Sequence, residues 1–458
     1  MKKTILFLVL PALLGCSGSR EKISPTAILI SNVNIVNVSN GSLQENMQVV
    51  IDSGTIKKIT NTIDAAEAYP LRIDGKGQYL VPGLAEMHAH IPQPPTSQQR
   101  IEETLFLYLS NGITTIRGML GHPSQLELRE RAKVGSVISP HIIVSSPSLN
   151  GNTVTNKDQA INLVNTYKDE GYDFLKIHPG ISLEPFDQIV KTAREVGIPF
   201  AGHVPVDVGI RHALSSRFAS IDHVDGYLEG LVPDSEGVNP ADNGFFGYNF
   251  TSLADTSKID GLVRLSKENQ VWVVPTQSLF ERWFAPISAD ELLSQPEMKY
   301  MPASTLQNWK RTKEATTGPN ADFNKEQWED FIMIRQQLIR ALQDGGQGLL
   351  LGSDAPQLFN VPGFSIHHEI QGLLRAGLTP LEILRSGTVN PAQFFGMENI
   401  FGEVKEGLRA DLILLKANPM EDMGALKLVS GVMINGKWLS RELIDKKLEE
   451  IAKNAEGN

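Results

Sequence analysis

The feature that most constrains the fold is a long alternation of two kinds of segment. Between about residues 81 and 400, short apolar strand-like runs alternate with amphipathic helical stretches such as QSLFERW and PLEILRSG. This alternation is typical of βα units around a parallel sheet, and eight such units close into a barrel of about 250 residues, or more with insertions. The sequence therefore predicts an α/β fold with a (β/α)8 TIM barrel over residues 81–401.

The two ends of the chain show a different pattern. In residues 27–59, β-branched and polar residues alternate between Gly and Asn breakers. The pattern returns in ADLILLK (410–416) and VMINGKWL (432–439), where Asn435-Gly436 is a hairpin turn signal. We predict one small β-sandwich domain built from residues 26–80 plus 402–440, followed by a charged C-terminal helix in 441–458.

The N-terminus, MKKTILFLVLPALLGC, has two lysines and then an apolar stretch over residues 5–14. That stretch is about half of the roughly 20 residues that a spanning helix needs, which indicates a secretory signal. Its end, LLGC, resembles the lipobox of bacterial lipoproteins, in which the cysteine is lipidated. We predict a signal peptide in 1–16, a tether in 17–25 and a lipid anchor on Cys16, which places the protein at the bacterial cell envelope. A plain secretory signal with an incidental cysteine is the alternative.

Charge and cysteine content exclude one class of partner and one kind of cross-link. The formal net charge is −10, from 52 acidic and 42 basic residues, which argues against nucleic acid as a partner. Cys16 is the only cysteine, so disulfides within the chain are excluded.

Polar residues end the predicted barrel strands, where a barrel of this kind builds its active site. The candidate strand ends are HAH (88–90), TTIR (114–117), IVSS (143–146), FLKIH (174–178), FAGH (200–203), SIDH (220–223), VVPT (273–276) and LLGSD (350–354). His88 and His90 share one face of a strand, so both imidazoles can reach one cation. His203, His223 and Asp354 each end another run, and a metal would offset the cost of burying the carboxylate. These residues predict a metal site.

The motifs together resemble the amidohydrolase superfamily. The resemblance rests on HxH after a Pro-Gly turn, a lysine ending the fourth strand, histidines ending the fifth and sixth, and aspartate ending the eighth. It covers roughly residues 26–440, including NGITTIRGM, AGLTPLEILRSGTVNPAQFFG and GLRADLILL. DFLKIHPG and AGHVPVDVG are similar to the branch that contains imidazolonepropionases and metal-dependent prolidases.

The resemblance implies two divalent metal ions, with zinc expected. It implies these ligands: His88, His90 and Asp354 for one ion, His203 and His223 for the other, and a carboxylated Lys176 as the bridge. The implied reaction is attack of a metal-held hydroxide on an amide carbonyl. Asp354 would accept the proton of the attacking water and pass it to the departing amine.

The implied function is a metal-dependent hydrolase that cleaves a C–N amide bond of a small molecule. A dipeptide or an N-acyl amino acid is the expected substrate, because Lys176 favours the peptidase-like side of the branch. Two alternatives stay open. One is a cyclic amidohydrolase of the imidazolonepropionase kind with one metal, and the other is a non-catalytic binding protein on the same barrel.

Three residues are candidates for substrate contact. His178 lies two residues beyond Lys176 and should point into the barrel mouth. Arg117 and Tyr227 are candidates for binding a substrate carboxylate, with an ion-paired arginine and a half-buried tyrosine as the structural alternatives. The long segment at about 277–345 predicts an inserted helical lid. Its aromatic residues could instead pack on the barrel exterior.

Overall fold

The structure is a computed structural model that describes residues 23–64 and 66–456. The predicted signal peptide, Cys16 and most of the predicted tether lie outside these residues. Within the described ranges, no helix has the length and apolar character needed to cross a membrane.

The β-strands are β1 Ile28–Val36, β2 Leu43–Asp52, β3 Thr55–Thr60, β4 Leu71–Asp74, β5 Tyr79–Pro82, β6 Leu84–Ala89, β7 Ile113–Gly118, β8 His141–Leu149, β9 Phe174–Ile177, β10 Phe200–Gly202, β11 Ser220–Asp222, β12 Trp272–Val274, β13 Leu412–Leu415, β14 Val429–Ile434 and β15 Lys437–Ser440. The α-helices are α1 Gln98–Ser110, α2 Pro123–Lys133, α3 Lys157–Asp169, α4 Leu183–Val196, α5 Gly209–Ser215, α6 Ile259–Glu268, α7 Gln277–Arg282, α8 Ala289–Leu293, α9 Ala303–Thr317, α10 Lys325–Gly345, α11 Ser365–Arg375, α12 Pro380–Gly387, α13 Val389–Phe395 and α14 Arg441–Glu456. Short 3-10 helices occupy Ala66–Ala68, Glu229–Leu231, Asp234–Glu236, Pro240–Asp242, Tyr248–Leu253, Thr256–Lys258, Pro296–Tyr300 and Met423–Lys427.

The barrel closes as the sequence predicts. Strands β6 to β12 pair in parallel, each with the next in chain order, and residues 348–355 fill the eighth position. On one side of that segment, the Val273 amide donates to the Gly348 carbonyl, and on the other the Met87 amide donates to the Leu351 carbonyl. The α/β barrel is therefore confirmed.

The first two barrel strands are buried over their whole length. Every residue of β6 (LAEMHA) and of β7 (ITTIRG) is buried, although each strand contains charged or polar side chains. Strands covered on both faces normally read as continuous apolar runs. Their polar members must therefore pair with one another or bind a ligand at the strand ends.

The small β domain is also confirmed as a structure from both chain ends. Its eight strands, β1 to β5 with β13 to β15, form one continuous mixed sheet in which β13 pairs with β5. Side chains of six of these strands form a buried apolar cluster that includes Ile30, Val49 and Leu412. The predicted turn at Asn435-Gly436 is present, and both residues have positive φ, at 50° and 71°.

The predicted lid, residues 277–345, contains helices α7 to α10. Its last part, α10, packs against α6 and α11 as a helix of the outer ring. Aromatic rings of the predicted lid also pack on the segment that joins β11 to α6. Phe284 lies 4.5 Å from Phe245, and Phe331 lies 5.7 Å from Tyr248, between ring centroids. Phe245 and Tyr248 belong to the β11–α6 segment (residues 223–258).

Candidate metal centre

The first group of metal-ligand side chains lies where β6 meets the eighth strand. His88, His90 and Asp354 each offer one ligand atom, and these atoms lie within 4.8 Å of one another. The Asp354 Oδ1 atom is 2.6 Å from His90 Nε2 and 3.3 Å from His88 Nε2. The structure thus brings together the three residues that the resemblance assigns to one ion.

The donor set at this point fits a divalent metal. Asp354 Oδ1 is buried and makes no hydrogen bond within the described residues, although two imidazole nitrogens face it. A buried carboxylate oxygen that is faced only by imidazole nitrogens is costly, and a cation would stabilise it. Imidazole nitrogens with a carboxylate oxygen are typical zinc ligands. Although burial raises the pKa of Asp354, the neighbouring His88 and His90 hold it below its usual value.

The backbone at two predicted ligands is held in an uncommon conformation. Asp354 and His223 have φ values of 61° and 65°, a region that non-glycine residues rarely adopt. The Asp354 amide donates to the His88 carbonyl, and Arg335 Nη1 donates to the His223 carbonyl at 2.8 Å. These bonds, between segments far apart in sequence, stabilise the strained turns and aim both side chains at the barrel mouth.

His203 and His223 form the second group. Their ring centroids are 4.7 Å apart, and the His223 ring is 4.6 Å from that of His88. His203 Nδ1 lies 3.0 Å from Asp225 Oδ2, and His223 Nδ1 lies 2.7 Å from Thr276 Oγ1. Because each Nδ1 is engaged, the Nε2 atom of each ring is left for a metal.

Lys176 lies in the barrel interior beside Asp222. Its Nζ donates to Asp222 Oδ2 at 3.1 Å, and both side chains are fully buried. Asp222 also accepts from Arg117 Nη2 at 3.1 Å and lies 3.2 Å from His88 Nδ1. Burial lowers the pKa of Lys176, while the Asp222 carboxylate opposes this shift. Asp222 thus connects Lys176 to a predicted metal ligand.

The structure does not bring Arg117 or Tyr227 to the barrel mouth. Arg117 is fully buried, and it donates to the Met87 carbonyl and to Ser220 as well as to Asp222. These contacts engage Arg117 with the barrel interior, and its predicted substrate contact stays a prediction. The Tyr227 hydroxyl is buried within 2.7 Å of Ser266 Oγ on α6, and its predicted substrate contact likewise stays a prediction.

His178 does lie at the mouth. Its side chain is partly exposed, and its ring stacks on that of His203 with centroids 5.2 Å apart. Burial and the nearby Lys176 lower the pKa of His178 to about 2, so the imidazole is neutral at pH 7. It remains the candidate for a substrate contact.

Two residues that support the predicted metal ligands were not among the residues predicted from the sequence. Glu86 accepts from the Ser353 amide at 2.6 Å and from the Ser353 hydroxyl at 2.7 Å, which anchors the turn before Asp354. Burial raises the pKa of Glu86 to about 8. The sequence did contain a sign of this role, because Glu86 is an acidic residue inside the apolar run before His88. Arg335, on α10, has no comparable signal.

A match to a known family adds to this geometry. The model of the amidohydrolase family matches residues 79–439, which is most of the chain. The chain belongs to the amidohydrolase family. The resemblance stated from the sequence is therefore confirmed.

Individual relatives of this amidohydrolase are distant. It is 34% identical over 90 residues to a dihydroorotase of Carboxydothermus hydrogenoformans, a match that spans 19% of the chain and only 20% of that enzyme. It is 22% identical over 404 residues to the imidazolonepropionase of Idiomarina loihiensis, spanning 84% of the chain and 90% of that protein. A solved Xaa-Pro dipeptidase with bound methionine superimposes with a TM-score of 0.63 at 19% identity, covering 90% of this chain and all (100%) of that one. This last likeness shows a shared fold.

Proposed function

We propose that this amidohydrolase hydrolyses a C–N amide bond of a small molecule, with a dipeptide or an N-acyl amino acid as the substrate class. The observation that carries the proposal is the convergence of His88, His90 and Asp354, with an unpartnered carboxylate oxygen, at the end of a closed barrel. The overall similarity to an imidazolonepropionase and to a Xaa-Pro dipeptidase supports this class of reaction.

We propose two divalent metal ions, with zinc as the native metal. The ligands would be His88, His90 and Asp354 for one ion, His203 and His223 for the other, and Lys176, as its carbamate, between them. When bound, such ions lower the pKa of a water molecule from 15.7 to about 7 and polarise a carbonyl group.

The chain's own residues supply the remaining chemistry. The Asp354 carboxylate is ionised at neutral pH, because the neighbouring His88 and His90 outweigh the effect of burial on its pKa, so it can accept a proton. The protonated carboxyl can then donate to the departing amine. Neutral His178 would hold the amide substrate by a hydrogen bond, which its stacking on His203 supports.

Metal analysis together with a substrate panel tests the proposal. The purified chain should contain two equivalents of metal and hydrolyse members of a panel of dipeptides and N-acyl amino acids, and removal of the metal should abolish turnover. A chain with one equivalent that acts on cyclic amides would instead support the imidazolonepropionase-like alternative. Stoichiometric metal without hydrolysis of any amide, ester or lactam would favour a binding protein.

We also propose that Cys16 carries a lipid that holds the enzyme at the bacterial cell envelope. The support is the sequence LLGC after a short apolar stretch.

A further inference from the structure

A large cavity opens beside the metal centre. It has a volume of about 920 Å³, and its lining includes His203 and Asp225. One wall is the chain that follows β10, residues 203–212, and the other is the β11–α6 segment. His203 belongs both to the cavity lining and to the predicted metal centre, so the two share a wall at this residue.

The walls of the cavity are largely apolar. Val208, Val238, Phe245 and Phe246 are among the lining residues. The Phe246 ring lies 5.3 Å from the ring of His223 and 5.8 Å from that of His203. An apolar substrate group in the cavity would therefore pack against the same aromatic ring that covers two predicted metal ligands.

Phe246 is held in this place at a conformational cost. Its φ is 53°, a left-handed value that is unfavourable for a bulky residue, and Gly247 follows with φ 83°. Contacts with Phe245 and Phe280, at centroid distances of 4.8 Å and 5.2 Å, stabilise the ring. A strained aromatic residue at the border of cavity and metal centre is typical of a position selected for function.

Glu229 gives the cavity an acidic group with spare bonding capacity. Its Oε1 accepts a hydrogen bond from Asn243 Nδ2 at 2.8 Å. Its Oε2 is buried and has no hydrogen-bond partner in the described part of the chain. Burial and the nearby Asp225 raise the pKa of Glu229 to about 7. A buried carboxylate oxygen without a hydrogen-bond partner is stabilised most by a cationic hydrogen-bond donor, which a ligand could supply.

The protein's own cations leave this oxygen available. Arg335 is close enough to influence Glu229, but its guanidinium donates to Gln277 and to the carbonyls of His223 and Pro275. Arg211 and Lys258 also line the cavity, and both are at least partly exposed to solvent. Neither donates a hydrogen bond to Glu229 within the described residues.

We propose that this cavity binds an apolar substrate residue that bears a protonated α-amino group, with Glu229 Oε2 accepting a hydrogen bond from the ammonium. Glu229, which lines the cavity, is the acidic group that would receive the ammonium. This inference rests on the proposed function and makes it more specific, because it selects dipeptides with a free N-terminus and a hydrophobic first residue over N-acyl amino acids.

A binding experiment tests the cavity without any hydrolysis. Calorimetric titration of the full chain should show that phenethylamine binds at least roughly tenfold more tightly than 2-phenylethanol, which has the same ring without the charge. Glu229→Gln should remove this difference. Glu236→Gln, an exposed change in the same segment that does not line the cavity, should keep it. Equal affinity for the two probes, or an unchanged preference in Glu229→Gln, would overturn the proposal.

A kinetic experiment separates this inference from the proposed function. With wild-type enzyme, a Phe-containing dipeptide should have a kcat/KM at least roughly tenfold above that of its N-acetylated form, mainly through KM. Glu229→Gln should raise KM for the free dipeptide and leave the N-acetylated form nearly unchanged. A preference for the N-acetylated form would refute the role of Glu229. If neither amide is hydrolysed, the proposed function is wrong. The calorimetric comparison of the two probes still shows whether the cavity binds an ammonium group.

Discussion

Asp225 offers the sharpest test of the proposed second metal position. Its Oδ2 atom lies 3.0 Å from His203 Nδ1 and also accepts from the Val204 amide at 3.0 Å. Groups that orient a metal-binding histidine in this way commonly change metal affinity by about 10- to 100-fold when they are removed. We expect replacement of Asp225 to weaken one of the two metal equivalents.

The two contacts give the size of the effect. A hydrogen bond between neutral groups contributes about 0.5–1.5 kcal/mol, and one to a charged group about 1.5–3 kcal/mol. Asp225→Asn keeps an acceptor in place and loses the charge, so it should cost about 1–1.5 kcal/mol, or roughly tenfold in affinity. Asp225→Ala loses both bonds and frees the His203 ring to reorient, so we expect a loss of about 100-fold.

The assay is titration of the metal-free protein with zinc in competition with a chromophoric chelator. Thermal unfolding should first show that each variant is folded. Asp187→Asn is the matched control, because Asp187 makes the same kind of bond to His212, at 2.7 Å, on the exposed surface. Two equivalents of zinc bound with wild-type affinity in Asp225→Ala would refute the role of Asp225. An equal loss in Asp187→Asn would show that the effect is not local.

Four further changes have defined outcomes. Lys176→Ala should bind at most one equivalent of metal and lose nearly all activity, with partial recovery when a short carboxylic acid is added; two metals and ordinary turnover would exclude the bridge. Asp354→Asn should lower kcat by about 10²- to 10⁴-fold and keep at least one metal by elemental analysis. Lys313→Met should lower the free energy of unfolding in urea by about 2–4 kcal/mol, because the buried Lys313 donates to the three carbonyls that follow or end α7. Cys16→Ser should move the protein out of the membrane fraction with unchanged activity per molecule, whereas a fully soluble wild type in intact envelopes would contradict lipidation.

Local patterns were enough to predict the barrel and the positions of its strand ends. Alternation along a strand decides which side chains face inward, and a change from apolar to polar residues marks where the strand ends. Both are properties of a few neighbouring residues. The structure therefore places His88, His90, His203, His223 and Asp354 at barrel strand ends, as the sequence indicates.

The surroundings of Arg117 and Tyr227 depend on contacts that their own sequence neighbours do not encode. Arg117 faces inward as predicted, and it bonds Asp222 and Ser220. Tyr227 follows the sixth strand, but its hydroxyl turns to Ser266 on α6. Inward direction is encoded locally, whereas the partners of a side chain depend on neighbouring strands and helices.

Long-range contacts alone decide how the site is supported and covered. Arg335 reaches the His223 carbonyl from 112 residues away in sequence, and Thr276 reaches the His223 ring from 53 residues away. The sequence predicted a lid in the longer insertion, residues 277–345. In the structure, Phe246 of the shorter β11–α6 segment contacts His203 and His223. The neighbours of a residue in the chain determine its backbone conformation and the face on which its side chain lies. Which side chains meet at the barrel mouth depends on the packing of segments that are distant in sequence, and no local pattern encodes that packing.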